Sequence, residues 1–349
     1  MKVGDLFSGV GGMSQGFKMA GCFDIAFAVE YDKEIANAYK KNHTETDVYA
    51  EDIRNIDVKR LHEKHPTIDV IIGGPPCQGF SQKGKRMSID DPRNFLFQQF
   101  VRFVKEFKPK YFVLENVPAI ITTAKGFFKE QIIEAFRGLG YDVTCGVLCA
   151  ADFGVPQDRK RAVFMGQLGK LQISLPTPLY GKVTIKDAIY DLPFIAAGEG
   201  EEESIYDKVA TSEYQRIMRG NCQKLYNHVA TNHNASALRR LAMIPKGAGK
   251  EVLPPEERTK SIYSGTWSRM LENDISVTIT TRYDTPSSGR FTHPILDRCI
   301  TTREAARIQS FPDSFRFYGN KTSQMKQVGN AVPPLLAKAI AEQIKKNEL

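Results

Sequence analysis

Over the first 165 positions, short apolar runs alternate with amphipathic stretches. Residues 3–7, 25–29, 70–72, 111–114 and 162–165 are β-rich runs of the kind that buried strands show. Residues 13–20, 33–42, 95–107 and 127–139 repeat their apolar positions at helical spacing. The alternation predicts an α/β fold, an open sheet with helices on both faces. Ligands of such sheets bind at the carboxyl ends of the strands. The residues hardest to explain as packing fall there: glycines after the first run, Glu30 after the second, Pro75-Pro76-Cys77 after 70–72 and Glu115-Asn116 after 111–114. Between about 170 and 295 Pro, Ser, Thr and Gly become frequent and periodicity fades, which predicts a second, loop-rich domain of short strands, 277–283 among them. Helical spacing returns at 302–309 and at 333–346, where a proline opens the helix.

Composition narrows this picture without naming a function. A chain of 349 residues with 42% hydrophobic and 25% charged residues has enough apolar content for a folded two-domain protein, which excludes disorder as its main state. No window holds the 18 or more uncharged apolar residues of a membrane span, and Met1-Lys2 runs directly into Val3, Gly4 and Asp5 with no signal-peptide pattern, so a cytoplasmic protein off the membrane is expected. The six cysteines lie scattered, without a C-x-x-C pair, as reduced thiols do. The net charge of +8 hints at a polyanionic partner. Its distribution says more: residues 215–270 carry ten Lys/Arg against three acids, and residues 186–213 carry two Lys against eight acids.

Three segments suggest chemistry. Asp5-Leu6-Phe7-Ser8-Gly9-Val10-Gly11-Gly12 follows a strand and opens a helix, where glycines admit a ligand to the backbone and the helix start offers free N–H groups. The G-x-G-x-x-G spacing of dinucleotide sites is not met, because Ser14 stands where its last glycine would be. Glu30 can take two ribose hydroxyls, and Asp52-Ile53 can pair an adenine amino group and cover the ring. Taken singly, either acid could equally be a helix cap or a surface charge. Together they favour a nucleoside without a pyrophosphate, S-adenosylmethionine over NAD. In Gly73-Gly74-Pro75-Pro76-Cys77-Gln78-Gly79-Phe80-Ser81, two prolines stiffen the turn that presents Cys77, which reads as a nucleophile. The following 82–94 are polar, with Lys83, Lys85 and Arg86 in their first half, and suit a lid over an anionic substrate. Glu115-Asn116-Val117 and Gln157-Asp158-Arg159-Lys160-Arg161 map to the same rim.

These segments carry a resemblance. DLFSGVGG (5–12), VEYD (29–32), EDI (51–53), GGPPCQGFS (73–81), ENV (115–117), QDRKR (157–161), RCITTREAARIQSFPDSF (298–315) and QVGNAVPP (327–334) occur in the order found in DNA cytosine-5 methyltransferases of the compact bacterial or phage type, which the chain resembles. The resemblance implies a Rossmann-like S-adenosylmethionine-dependent sheet over 1–185, completed by 323–349, with a smaller target-recognition domain at 186–322. It implies that Phe7, Gly9, Val10, Gly11, Glu30, Asp52, Ile53, Pro76, Leu96, Asn330 and Val332 bind S-adenosylmethionine, which leaves as S-adenosylhomocysteine. Cys77 would be the nucleophile, Glu115 would grip the cytosine at ring nitrogen 3, Arg161 its carbonyl oxygen, and Arg159 would support that geometry. Gln78 and Ser81 would face DNA on the lid. Arg303, Glu304 and Gln309 would organise the smaller domain.

The partner implied is double-stranded DNA, met by a working monomer in the cytoplasm at the nucleoid, with a restriction endonuclease acting separately where one exists. No metal is implied, and Cys145, Cys149, His228 and His233 read as structural. Within the basic block and its surroundings Arg239, Arg240, Arg269, Arg282 and residues 232–234 could read bases, contact phosphates or face solvent, and Trp267 could be core or a wedge. Three alternatives exist: an RNA cytosine-5 methyltransferase, a non-catalytic DNA-binding relative, and a nicotinamide oxidoreductase. The 136 residues 162–297 separate QDRKR from RCITTRE, more than the RNA branch usually carries. Cys77, Glu115 and Arg161 speak against the second, and the glycine spacing against the third.

Overall fold

A computed structural model of the chain describes residues 1–76, 96–169, 173–179, 181–260 and 264–348. The chain divides into two compact units. One comprises Met1–Phe153, Lys160–Leu179 and Val332–Leu349, the other Gly154–Arg159 and Tyr180–Ala331.

The first unit is built on strands β1 (Lys2–Leu6), β2 (Asp24–Val29), β3 (Asp47–Tyr49), β4 (Val70–Gly73), β5 (Tyr111–Asn116), β6 (Tyr141–Cys149) and β8 (Lys160–Leu168), the two-residue β7 (Gln157–Asp158) belonging to the second unit. Their order in the sheet is β3-β2-β1-β4-β5-β8-β6. The first five run parallel, and β8 is antiparallel to both β5 and β6. Strand order reverses between β1 and β4, which opens the crevice where α/β sheets take ligands. Register fixes what meets there. Leu6 pairs with Gly73, and Gly73 with Leu114. Because β8 runs the other way, its first residues lie at the carboxyl end of β5, with Asn116 opposite Ala162.

Helices α1 (Gly12–Met19), α2 (Lys33–Asn42), α3 (Val58–Lys64), α4 (Phe97–Phe107), α5 (Ala119–Thr122) and α6 (Phe127–Arg137) fill the connections, and α12 (Pro334–Lys346) returns from the chain end. On one face of the sheet Phe27, Ile71, Phe112, Leu114 and Phe164 join Phe100, Phe103 and Val104 of α4 and Ile132 and Phe136 of α6 in one core. The alternate residues Val3, Ile25, Val70, Ile72, Val113 and Met165 are equally buried, so the other face is covered too. There α1 and α12 pack so closely that a Cβ on Gly16 would stand 2.3 Å from the Pro334 carbonyl oxygen.

The second unit holds β7, an antiparallel pair β9 (Gly200–Ile205) and β10 (Lys224–Val229), the short β11 (Ser276–Val277) parallel to β7, and helices α7 (Ile185–Ile189), α8 (Glu213–Arg219), α9 (Ala235–Met243), α10 (Thr302–Ile308) and α11 (Lys321–Asn330). The strand expected over 277–283 is confined to β11, because at Ile279 the N–H and carbonyl are taken by the Gln157 and Arg159 side chains instead of a ladder. The interior is unusually polar. Arg298 forks onto Glu304 with two bonds of 2.8 Å, and Arg307 lies between Asp313 (2.6 Å) and Asp191 (3.1 Å). Arg303 donates to the carbonyls of Tyr226 and Phe315 at 2.8 and 2.7 Å. Burial alone would raise the Glu304 carboxyl, but the adjoining Arg298 guanidinium holds it well below the usual range. Removing one partner of such a buried pair typically costs about 3–5 kcal/mol.

Candidate active site

The turn after β1 is shaped for a ligand. Phe7 adopts a left-handed backbone (φ 55°), and Gly9 and Gly11 follow at φ 55° and 93°. A strained non-glycine residue costs on the order of 1 kcal/mol, and such strain gathers at functional sites. A Cβ built on Gly9 would meet nothing within 4 Å, so the turn borders open space. Helix α1 starts directly behind without a side-chain cap. At the end of β2, Glu30 accepts the N–H of Gly9 on one oxygen and that of Asp32 on the other, both at 2.8 Å. Each oxygen keeps a further lone pair for a hydroxyl. Burial pushes the Glu30 carboxyl up, against the pull of those N–H groups. Beneath the turn Asp5 accepts a bond from Ser14 (2.6 Å), and Ser14 also bonds the Tyr39 hydroxyl (2.7 Å).

Asp52 follows β3 and caps the turn Ile53–Asn55, while Arg54 holds its carboxylate at 2.5 Å and lowers its pKa. Ile53 is 5% exposed. Val10 is buried, Pro76 is exposed and Leu96 precedes α4. The open cradle beside Gly9, with Glu30 at its edge, suits the adenosyl and methionyl parts of S-adenosylmethionine. Val332 lies in the first unit, and Asn330 ends α11 in the second.

At the end of β5, Glu115 is 9% exposed, and its Oε1 lies 2.5 Å from Arg161 Nε. The antiparallel β8 makes that meeting possible, since Arg161 is its second residue. A Cβ on Gly74 would stand 2.8 Å from Glu115 Oε2, so only glycine leaves the carboxylate its place. Asn116, 5% exposed, donates to the Pro75 carbonyl (2.8 Å) and accepts the Val117 N–H (2.9 Å). Its role as anchor of the proline turn was not read from the sequence, which marked Asn116 only as a polar residue at a strand end. Cys77, Gln78, Ser81, Lys83, Lys85 and Arg86 lie outside the described residues.

In the second unit the structure places each of the residues singled out, and one expectation, for Arg269, changes. Arg159 is 1% exposed and donates to the carbonyls of Ile279 (3.1 Å) and Gly329 (2.9 Å). Arg269 is not a surface reader. It is 5% exposed and binds the carbonyls of Ile244, Leu241, Leu296 and His293, with Asp297 completing its fork. Arg239 and Arg240 converge on Glu257 at 2.6 and 3.0 Å, whereas Arg282 is exposed. Asn234 caps α9, and Trp267 is 6% exposed in a cluster with Leu241, Ile244 and Leu253, hence core. His228 bonds Thr301 and the Pro193 carbonyl, and His233 accepts the Cys299 N–H. Among the described residues no group of His, Cys, Asp and Glu could hold a metal, and no helix is long and apolar enough to cross a membrane.

The comparisons with known proteins decide between the readings. The profile of the C-5 cytosine-specific DNA methylases matches residues 1–346. The chain belongs to this family. It is therefore an S-adenosylmethionine-dependent DNA (cytosine-5-)-methyltransferase, and neither the RNA-directed nor the nicotinamide reading is favoured. The methyltransferase is 39% identical to the Type II methyltransferase M.DdeI of Desulfomicrobium norvegicum over 99% of this chain and 88% of that one. It is 40% identical to the Type II methyltransferase M1.HphI of Haemophilus parahaemolyticus, over 98% and 86%. A crystal structure assigned as a DNA modification methyltransferase of an E. coli prophage superposes with a TM-score of 0.81 at 31% identity, covering 99% of both chains. The Entamoeba histolytica methyltransferase EhMeth shares the fold at 17% identity, with a TM-score of 0.66 over 100% of this chain and 99% of that one.

Proposed function

We propose that this methyltransferase modifies one cytosine within a defined duplex sequence, flipping the base out of the helix and attacking it through Cys77. The observation that carries this reading is the Glu115–Arg161 pair at 2.5 Å, on the rim beside Gly74, three residues before Cys77. Carbon 5 of cytosine is too weak a nucleophile to take a methyl group unaided. Addition of the Cys77 thiolate to carbon 6 moves the electron pair of the ring double bond to carbon 5, provided that nitrogen 3 receives a proton or a strong hydrogen bond. Glu115, carrying a proton when the base is bound, donates that bond from its carboxyl O–H, and Arg161 turns from Glu115 to the ring carbonyl oxygen, where negative charge develops. S-Adenosylmethionine, when bound, supplies the electrophilic methyl group. Loss of the carbon 5 proton then breaks the carbon–sulfur bond and returns Cys77 as thiolate. A stacked base exposes no face to a thiol, which is why the cytosine must leave the helix, at about a few kcal/mol.

The turn at 7–11, Glu30, Asp52 and Ile53, with Pro76, Leu96, Asn330 and Val332, would hold the cofactor, and residues 186–322 would read the DNA, with Gln78, Ser81, Lys83, Lys85 and Arg86 on the lid. The Type II names of its relatives support a place in restriction–modification, beside an endonuclease that acts separately. The enzyme works as a monomer in the cytoplasm, at the nucleoid. Cys77→Ser tests the nucleophile: transfer of labelled methyl groups to duplex DNA is lost while DNA binding persists. Undiminished transfer would refute the assignment.

A further inference from the structure

Three buried side chains of the second unit tie together two backbone segments that lie next to proposed contact residues. Gln157, Arg159 and Gln309 are each 0–1% exposed. The Ile279 N–H donates to Gln157 Oε1 (2.8 Å), and the Ile279 carbonyl accepts from Arg159 (3.1 Å), so both polar groups of that residue are held. The other arm of Arg159 reaches the Gly329 carbonyl (2.9 Å). Gln157 also donates to Gln309 (2.6 Å), which in turn donates to the Val328 carbonyl (2.8 Å). The two segments touch directly, since a Cβ on Gly329 would stand 2.5 Å from the carbonyl carbon of Thr280. One segment leads to the exposed Arg282 and the other to the exposed Asn330.

We propose that Arg159 is a positioning residue that couples DNA binding to cofactor binding, by holding the 279–282 segment and the 328–330 segment in one arrangement. The proposal rests on the reading of Asn330 as cofactor-facing and Arg282 as DNA-facing. A guanidinium suits this task because its planar fork can serve two carbonyls from different segments at once, which a lysine ammonium does poorly. Each segment then reports its ligand to the other, and linkage requires the effect to be mutual.

The test compares the full-length wild type with Arg159→Lys and Gly329→Ala. DNA affinity is measured with and without S-adenosylhomocysteine, and KM and kcat for both substrates are determined on preparations shown by thermal melting to unfold cooperatively. In the wild type S-adenosylhomocysteine tightens DNA binding by a factor in the usual allosteric range, about 5–150. In both variants that factor falls toward one, and KM for DNA and for S-adenosylmethionine rises more than kcat falls. An unchanged coupling factor, or a loss confined to kcat, overturns the proposal, the second outcome placing Arg159 at the reacting base. Asn330→Ala is measured alongside: unchanged affinity for S-adenosylhomocysteine there would refute the cofactor reading itself, whatever Arg159 does.

Discussion

Asp5 lies under the cofactor turn at 1% exposure, and burial raises its carboxyl to about 7, with the neighbouring Glu30 charge adding to the rise and the Ser14 hydroxyl opposing it. The ring of His43 beside Tyr39 is held down to about 3, so it brings no positive charge to relieve Asp5 near neutral pH. Because the folded pKa exceeds the ordinary 3.8, the folded state binds more protons than the unfolded chain between about 4 and 7, and stability falls as pH rises through that window. Asp5→Asn should therefore match the wild type near pH 4 and become progressively more stable relative to it up to about pH 7, with a constant difference above. Denaturant titrations at several pH values check this, and a pH-independent difference would contradict it. At this scale the sequence was legible where a residue sits against a strand end: Glu30 and Glu115 were placed by the apolar runs that precede them. Arg269 was misjudged because charge alone does not show that four backbone carbonyls surround a guanidinium. Asn116 was singled out at the same strand end, but not its task, because its partner, the Pro75 carbonyl, is 41 residues away.

Between elements, α1 packs tightly against α12, the helix that returns from the end of the chain. Gly16→Ala would press a methyl group against Pro334 and Ala337, at 2.3 and 2.5 Å. Overpacking of this kind costs about 1–3 kcal/mol. The variant should unfold at correspondingly lower denaturant, and unchanged stability would mean that α12 packs less closely than described. The parallel strands β1, β2, β4 and β5 were readable as short apolar-rich runs, being largely buried on both faces, whereas β3 was not among the expected runs, its three residues being only half-buried. Strand β6 was not: its residues mix buried and half-exposed positions, as an edge strand allows, and Asp142, Thr144 and Gly146 interrupt any run. The short β7–β11 pairing escaped for a different reason, because its hold on the chain comes from Gln157 and Arg159 rather than from periodicity.

Over the whole molecule, the excess of positive charge in 215–270 proves less available than its count of ten suggests. Arg216, Arg219 and Lys224 pair with Glu213, Asp191 and Glu203 of the acidic stretch before them. Arg239 and Arg240 share Glu257, Lys246 meets Glu272, and Arg269 is buried on Asp297. Sequence shows that opposite blocks adjoin, but not that their charges pair, within α8, onto Asp191 and, for Lys224 and Glu203, across β9 and β10. Ten cations on phosphates would give a salt slope of about −9. With seven of the ten paired in this way, the block's contribution to the dependence of log affinity on log salt should lie nearer to about −3 than to about −9, and titrations between about 50 and 200 mM salt measure it. A slope near −9 would mean that DNA displaces these pairs.

The central claim is that Cys77 attacks a flipped cytosine in DNA. Duplex DNA carrying 5-fluorocytosine at the target position tests it most directly, because fluorine in place of the carbon 5 proton blocks the final elimination. With S-adenosylmethionine present, the enzyme should accumulate a covalent protein–DNA adduct, with the methyl group transferred and the attachment mapping to Cys77, and Cys77→Ser should form none. Turnover on ordinary DNA without any trapped adduct, or an adduct that persists in Cys77→Ser, would contradict the account.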